Sequence, residues 1–464
     1  MKLYFERHDG QAVTCDDFLA AMADANNVDL SQFALWYSTP GTPVVKYSHS
    51  FADGVFTLHL SQSSKSETPM HIPIAIGLLD KENGEEVLST TVLDLKKASQ
   101  TFIFDGLKGE VVPSLLRMFS APVKLLPESG EVDQEDLAFL AAHDTDGFNR
   151  WEAGQKLYTS LIFQTMDDKV SETTQVYVND AFRRALADKE SKDYSIQAYT
   201  LILPSEGTLA EEMEVVDPIG IHKARGSVKK ALARKFQTEL LDRYNELTVA
   251  MDGEEFKVDA ESIGRRRLRN VFLDYLCSIT ETDEEQEIAA ALAMDHFRKA
   301  TGMTDKMAAL TALASMDGKG ADARDKALQE FYNSADGDAL VLNKWFMTQA
   351  LANLDDVLDR VKKLTEHPDF TLKNPNRLRS LVSAFTMNSA AFHQENGAGY
   401  DFLSDIIQQV DALNPQISSR LAGSLITWRR YDVKRGNLMK AQLEKLATMK
   451  LSDDLYEIVS RGLK

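Results

Sequence analysis

A chain of 464 residues, 44% apolar and 27% charged, carries enough apolar side chains to build two or three cores. Its formal charge of −19 excludes the basic face that a nucleic-acid backbone demands. Its two cysteines, Cys15 and Cys277, are too few for a disulfide framework and fit reduced thiols in a cytoplasmic protein. The first residues show no basic start followed by an apolar run, and no stretch reaches the roughly 18 apolar residues of a membrane span, so neither a signal peptide nor a membrane partner is expected.

Residues 1–38 read as helical. Thr14 with Asp17 forms a capping box, and Phe18, Leu19 and Met22 follow on one apolar face. A second short helix is expected to begin near Asp29 or Ser31 and to carry Phe33 and Trp36. This segment is too short to build a core, so its aromatic rings need a surface supplied by other residues.

From about residue 39 to 126 the period changes to that of strands. Phe56, Leu58 and Leu60 alternate with polar neighbours, as do Ile72, Ile74, Ile76 and Leu78, and later Phe102 and Phe104. Asp53-Gly54, Asn83-Gly84 and Asp105-Gly106 are turn signals between the runs. The spacing predicts a small antiparallel β-sandwich, with Pro73 at an edge or irregular position.

From about residue 127 to 464 the pattern is helical throughout. Val178, Ala181, Phe182 and Ala185 share one helix face, as do Leu268, Val271, Phe272 and Tyr275. Asn149 and Glu152 form a capping-box pattern. Pro204, Pro218, Pro368, Pro375 and Pro415 punctuate the run at helix-pair distances. An irregular stack of helix pairs, an armadillo- or HEAT-like solenoid, is predicted.

The nine histidines include no pair at i and i+4, the spacing by which one helix offers zinc two imidazoles. The run His143–Glu152 resembles a calcium loop only in part: its first and twelfth positions are Ala142 and Ala153, so a turn with a helix cap is the reading. Arg265-Arg266-Arg267-Leu268-Arg269 reads as a solvated helix face making ion pairs. Asn374-Pro375 and Asn414-Pro415 each read as a helix start, with asparagine as cap and proline at the first helical position. Each start is followed by arginine, Arg379 or Arg420, and Gln416 lies one turn before Arg420. Free N–H groups, a helix dipole and a guanidinium suit a carboxylate ligand; capping, with the arginines paired to nearby acids, is the alternative.

Several blocks carry a resemblance. Phe33-Ala34-Leu35-Trp36-Tyr37-Ser38-Thr39-Pro40-Gly41-Thr42-Pro43-Val44-Val45 resembles the exit from the catalytic domain of the bacterial aminopeptidase N family, the zinc-dependent alanyl aminopeptidases. Met70-His71-Ile72-Pro73, Phe119-Ser120-Ala121-Pro122, Lys344-Trp345-Phe346 and Trp428-Arg429-Arg430-Tyr431-Asp432 resemble later parts of that family, so the likeness spans the whole chain. It implies the helices that end a thermolysin-like domain in residues 1–38, a β-sandwich in 39–126 and a helical superhelix in 127–464. It implies a parent enzyme that uses zinc to remove N-terminal residues from peptides, whereas the H-E-x-x-H motif is absent here. No catalytic residue, no metal ligand and no cofactor is therefore assigned to this chain. By the same likeness Arg379 and Arg420 face the substrate chamber towards the peptide's C-terminal side, and Gln416 borders the pocket for the N-terminal residue. The implied partners are peptides and the domains that carry the chemistry. A free-standing helical-repeat scaffold and one half of a split enzyme remain alternative readings.

Overall fold

The computed structural model describes residues 1–130, 132–189 and 193–464. By contacts it divides into two units, residues 1–157 with 173–184 and residues 158–172 with 185–464.

The first unit opens with α1 (Lys2–His8), α2 (Cys15–Asn26) and α3 (Leu35–Ser38). α2 starts at the expected capping box: Thr14 Oγ1 accepts from the Asp17 N–H, and the Asp17 carboxylate accepts from the Thr14 N–H. α3 begins later than expected. The Asp29 carboxylate accepts from the Ser31 N–H at 2.8 Å, and residues 31–34 form turns ahead of the helix. The aromatic rings find their surface on the sandwich. Trp36 Nε1 donates to the His71 carbonyl at 2.9 Å, and Phe33 sits edge-on to the His71 ring.

The sandwich comprises β1 (Val44–Ala52), β2 (Val55–Ser63), β3 (Ile72–Asp80), β4 (Glu86–Leu95), β5 (Ser99–Phe104), β6 (Val111–Leu115) and β7 (Lys124–Pro127). One sheet runs β5-β2-β1-β7 and the other β4-β3-β6. Phe56, Leu58 and Leu60 from the first meet Ile72, Ile74, Ile76 and Leu78 from the second, all fully buried, as the alternation required. Asp53 and Gly54 both take positive φ, which matches the twist of the β1–β2 hairpin. One pair departs from the antiparallel expectation: β7 lies parallel to β1, because it returns from the opposite sheet and not through a hairpin. Pro73 also differs from expectation, since β3 is the middle strand of its sheet. β6 pairs with β3 only from Ile76 to Asp80, so at Pro73 only β4 lies alongside. The Ala75 N–H, on the same side of the strand two residues on, bonds Ser120 Oγ and not a strand. The N–H that proline lacks is therefore not missed.

After β6 the backbone is forced. Leu116, Met118 and Phe119 all have φ between 53° and 59°, the left-handed region that costs an L-residue roughly 1–2 kcal/mol. What holds it is Arg117, 1% exposed. Its Nε donates to Ser114 Oγ (2.9 Å), its Nη1 to Glu86 (2.9 Å) and Thr90 (3.0 Å), and its Nη2 to Asp144 (3.0 Å). A Cβ on Gly77 would stand 2.1 Å from the Arg117 Cζ, so the guanidinium occupies the space that this glycine leaves. Asp144 belongs to the run read as a turn and cap before α5 (Gly147–Met166), and α4 (Gln134–His143) precedes it. The cap of α5 is Asp146, whose carboxylate accepts from the Asn149 N–H at 2.9 Å. Asn149 is not the cap that the sequence pattern suggested. It lies inside the helix, and its amide donates to Ser114 Oγ (2.7 Å) and the Leu115 carbonyl (2.9 Å). A buried bond to a strand 35 residues back outcompeted the local cap.

α6 (Glu172–Ala187) follows, and the remaining helices build the second unit. They are α7 (Tyr194–Leu201), α8 (Glu206–Glu211), α9 (Pro218–Lys235), α10 (Gln237–Ala250), α11 (Ala260–Leu276), α12 (Asp283–Lys299), α13 (Met303–Ala314), α14 (Ala321–Ser334), α15 (Ala339–Ala350) and α16 (Val357–Thr365). After these come α17 (Pro375–Leu378), α18 (Ala384–Met387), α19 (Ser389–Phe392), α20 (Ala398–Asp411), α21 (Pro415–Ala422), α22 (Val433–Ala447) and α23 (Asp453–Leu463). Neighbours in sequence pack on each other, α12 on α13 and α20 on α21 among them, as a stack of helix pairs requires. The Trp428–Asp432 block is a packing knot. Trp428 Nε1 donates to the Gly462 carbonyl (2.9 Å), Arg430 Nη2 donates to the Ala210 carbonyl (2.8 Å), and Tyr431 stacks on His393 with centroids 4.3 Å apart.

The basic run on α11 only partly follows expectation. Arg265 pairs with Glu254 and Arg269 with Asp305, each at 2.8 Å. Arg266 is buried, lies over the Phe256 ring and donates to the Lys257 carbonyl. Arg267 lies over Tyr199. Guanidinium stacking on exposed rings turned a solvated face into a packed one.

Two predictions follow from this packing. Burial pushes the Asp144 carboxyl above its ordinary value in spite of the pair with Arg117, so desolvation there outweighs attraction. Arg117→Met, which strands that carboxylate, is expected to destabilise the first unit by about 3–5 kcal/mol. Urea unfolding followed by hydrogen exchange of β3 and β6 measures this, and a loss below about 1 kcal/mol would contradict the assigned role. In the second unit burial holds His296 down to about 4 and His393 to about 3. Both rings stay neutral in the fold and charge more readily when unfolded. Stability is therefore complete above about pH 6.5 and falls as pH drops towards the folded values, by up to about 1.4 kcal/mol per pH unit for each ring. Melting curves between pH 7 and 5 are expected to slope accordingly, and His296→Gln with His393→Gln should flatten the slope.

Candidate functional site

Among the described residues no group of three or more His, Cys, Asp or Glu converges to hold an ion.

The two Asn-Pro starts form as the sequence implied. Asn374 Oδ1 accepts from the N–H groups of Asn376 and Arg377, and Asn414 Oδ1 from that of Ile417, with proline next in both cases. After α17 the chain makes a π-helical turn, Arg379–Ser383, before α18 resumes. Such turns insert a residue and re-aim the side chains around them. Arg379 opens the turn and is exposed. Two residues before it, Arg377 is 5% exposed. Its guanidinium lies 5.0 Å from the Phe346 ring centroid, and its Nε and Nη1 have no partner. Burial lowers its pKa, while the nearby Asp369 and Tyr332 act the other way. Phe346, Trp345, Tyr332 and His367 form one aromatic cluster linked by five ring pairs with centroids 5.0–5.7 Å apart. This cluster is the place of the Lys344-Trp345-Phe346 block, and it anchors the helix start that presents Arg379.

α21 buries Ile417, Ser418, Leu421 and Ala422 and packs on α20 and α23. Asp411 ties the three helices together: it accepts from Ser418 Oγ (2.7 Å), Ser452 Oγ (2.5 Å) and the Ser452 N–H (2.8 Å). Gln416 and Arg420 are on the exposed side of α21, one turn apart. The structure thus brings Gln416 and Arg420 together, whereas Arg379 stands on a different helix with different neighbours. Neither Arg379 nor Arg420 has a carboxylate within ion-pair distance among the described residues, so the alternative in which they pair with nearby acids is not what forms. Sequence reasoning missed Arg377 and Asp411. The only available signal for either was its place beside a helix end, since the partners lie 31 residues or more away for Arg377 on Phe346 and 41 for Asp411 with Ser452.

Comparisons with known proteins agree with this architecture. A family described as a domain of unknown function (DUF3458_C) with ARM repeats matches residues 134–464, and its companion, DUF3458, with an Ig-like fold, matches residues 41–128. Aminopeptidase N of Escherichia coli is 40% identical over 482 residues, covering 100% of this chain and 54% of its own length. Aminopeptidase N of Caulobacter vibrioides is 40% identical, covering 99% and 53%. The crystal structure of Legionella pneumophila aminopeptidase A in complex with aspartic acid aligns with a TM-score of 0.86 at 29% identity, over 99% of this chain and 53% of that one. The chain thus spans about half the length of the relatives it matches. With its Ig-like sandwich followed by ARM-type helices, it belongs to the DUF3458 family and is a homologue of the C-terminal half of bacterial aminopeptidase N.

Proposed function

We propose that this chain is the non-catalytic portion of a cytoplasmic, zinc-dependent aminopeptidase that removes N-terminal residues, alanine among them, from peptides. Residues 1–38 are then the last helices of the catalytic domain, 39–126 the sandwich, and 127–464 a helical cap over the active-site chamber. The cap limits entry to short or unfolded peptides. Arg379 and Arg420 attract the C-terminal side of the peptide, and Gln416 borders the pocket for its first residue. One observation carries this reading: in a chain of net charge −19, Arg379 and Arg420 stand exposed without an acidic partner, in a homologue of half an aminopeptidase. A guanidinium held by its helix and not neutralised by its neighbours is available to a carboxylate. Zinc belongs in this reading to the domains that other residues build.

The purified chain is expected to show no zinc-dependent hydrolysis of alanyl-p-nitroanilide, and turnover that copurifies with the chain would overturn the non-catalytic assignment. Combined with the catalytic half of a relative, the wild-type chain should restore turnover. Arg420→Ala should then raise KM for tripeptides about tenfold, the loss of one charge-assisted contact, and leave alanyl-p-nitroanilide nearly unchanged because it lacks the distal carboxylate. Equal effects on both substrates would reject the chamber role.

A further inference from the structure

Within the second unit lies a cavity of about 600 Å³. One of its walls is a single face of α9, on which His222, Arg225, Gly226, Lys229 and Lys230 recur at helical spacing. The charges on this wall are not equivalent. His222 has acceptors at both ring nitrogens, Glu206 at 2.7 Å and Asn353 at 2.9 Å, and the bond to Glu206 raises its pKa. Glu206 is thereby already engaged by the ring. Lys229 in turn meets Asp274 at 2.7 Å. Arg225 differs. Its Nε donates to the Pro204 carbonyl at 2.7 Å and its Nη2 to the Leu203 carbonyl at 3.4 Å, both neutral groups. Among the described residues no carboxylate lies within ion-pair distance of it, and Nη1 has no protein partner. The guanidinium is thus fixed in direction by two main-chain oxygens while its charge is left unmatched. Opposite signs appear at the cavity's edge, where Asp317 and Asp355 are exposed. Asp317 makes a distant contact with Arg324, at 3.9 Å.

Cys277 also lines the cavity, where burial pushes its thiol up to about 12 and its Sγ lies 3.7 Å from the Ala289 carbonyl.

We propose that this cavity binds a free amino acid or short peptide as its zwitterion, with the carboxylate on Arg225 and the ammonium at the rim formed by Asp317 and Asp355. A volume of about 600 Å³ is within the range of roughly 300–1,000 Å³ typical of sites that enclose small ligands. The choice of a peptide as ligand rests on the peptidase reading; the arrangement of charge does not. Gly226 supplies the decisive variant. A Cβ there would meet nothing within 4 Å, so a larger side chain projects into the cavity without displacing any hydrogen bond. Replacing a helical glycine also favours the helix.

Binding is measured on the whole chain by calorimetry and by ligand-observed saturation-transfer NMR. Ala-Ala is expected to bind saturably, in the range of about 1 mM or tighter. Ala-Ala-amide and N-acetyl-Ala-Ala, each lacking one charge, should bind at least about tenfold more weakly. Gly226→Leu should abolish binding with the melting temperature unchanged or raised, and Arg225→Met should weaken the carboxylate ligands selectively. No saturable binding of Ala-Ala, equal binding of the amide, or full binding by Gly226→Leu would each overturn the proposal. None of these outcomes touches Arg379, Gln416 or Arg420 or involves turnover, so failure here leaves the peptidase reading standing.

Discussion

The guanidinium of Arg117 is the constraint on which the first unit depends. Four groups from three segments converge on it: Ser114 at the end of β6, Glu86 and Thr90 on β4, and Asp144 in the turn before α5. Glu86 also accepts the Thr145 hydroxyl, so the same carboxylate serves two segments. Without this convergence nothing would offset three left-handed residues in a row of four. With it, the chain leaves the sandwich in one direction, and Ser114 and Leu115 are placed to receive the Asn149 amide. A buried charge earns little net stability by itself, but it fixes which segments meet.

The second unit uses the same device at smaller scale. Arg377 beside Phe346 and Arg225 donating to the Pro204 carbonyl are guanidinium groups bound to a ring or a carbonyl and not to a carboxylate, and Arg435 joins the His393 carbonyl to the Asp432 carboxylate. An ammonium could not do this, since it lacks the planar face and the directional fork. The blocks that mark the family are built around such contacts. Trp428–Asp432 ties α8 and its following turn to the C-terminal helices, Lys344–Phe346 anchors the start of α17, and Phe33–Trp36 fastens the first helices to the sandwich. They identify a fold because they hold it, and that is why they say little about chemistry.

This explains what could be read from the sequence. The Thr14 box, the Asn-Pro starts, the Asp53-Gly54 turn and the alternation of β2 and β3 involve partners within a few residues, and local pattern suffices for them. The failures share a different cause. Asn149 was drawn from its expected cap by an oxygen 35 residues away, and Arg266 was buried by a ring on another segment. At the candidate site, Gln416 and Arg420 could be placed on one face because four residues separate them. Arg377, Asp411 and the cavity beside Arg225 depend on helices brought together only by the fold. A residue's type and spacing announce a cap; they do not announce which charge will be left without a partner.

The ionisable groups that the second unit buries are tuned away from proton transfer at neutral pH. Burial raises the thiol of Cys277 and the phenol of Tyr244 to about 12 and holds His296 near 4 and His393 near 3. A general acid or base works best with a pKa close to the operating pH, so each of these shifts runs opposite to catalytic need. They are the shifts of a core that keeps its polar groups neutral to limit the cost of burying them. His222 is the exception, and it is spent on Glu206. Among the described residues, the guanidinium groups of Arg379, Arg420 and Arg225 have no carboxylate within ion-pair distance. These cannot exchange protons under ordinary conditions and can only attract and orient.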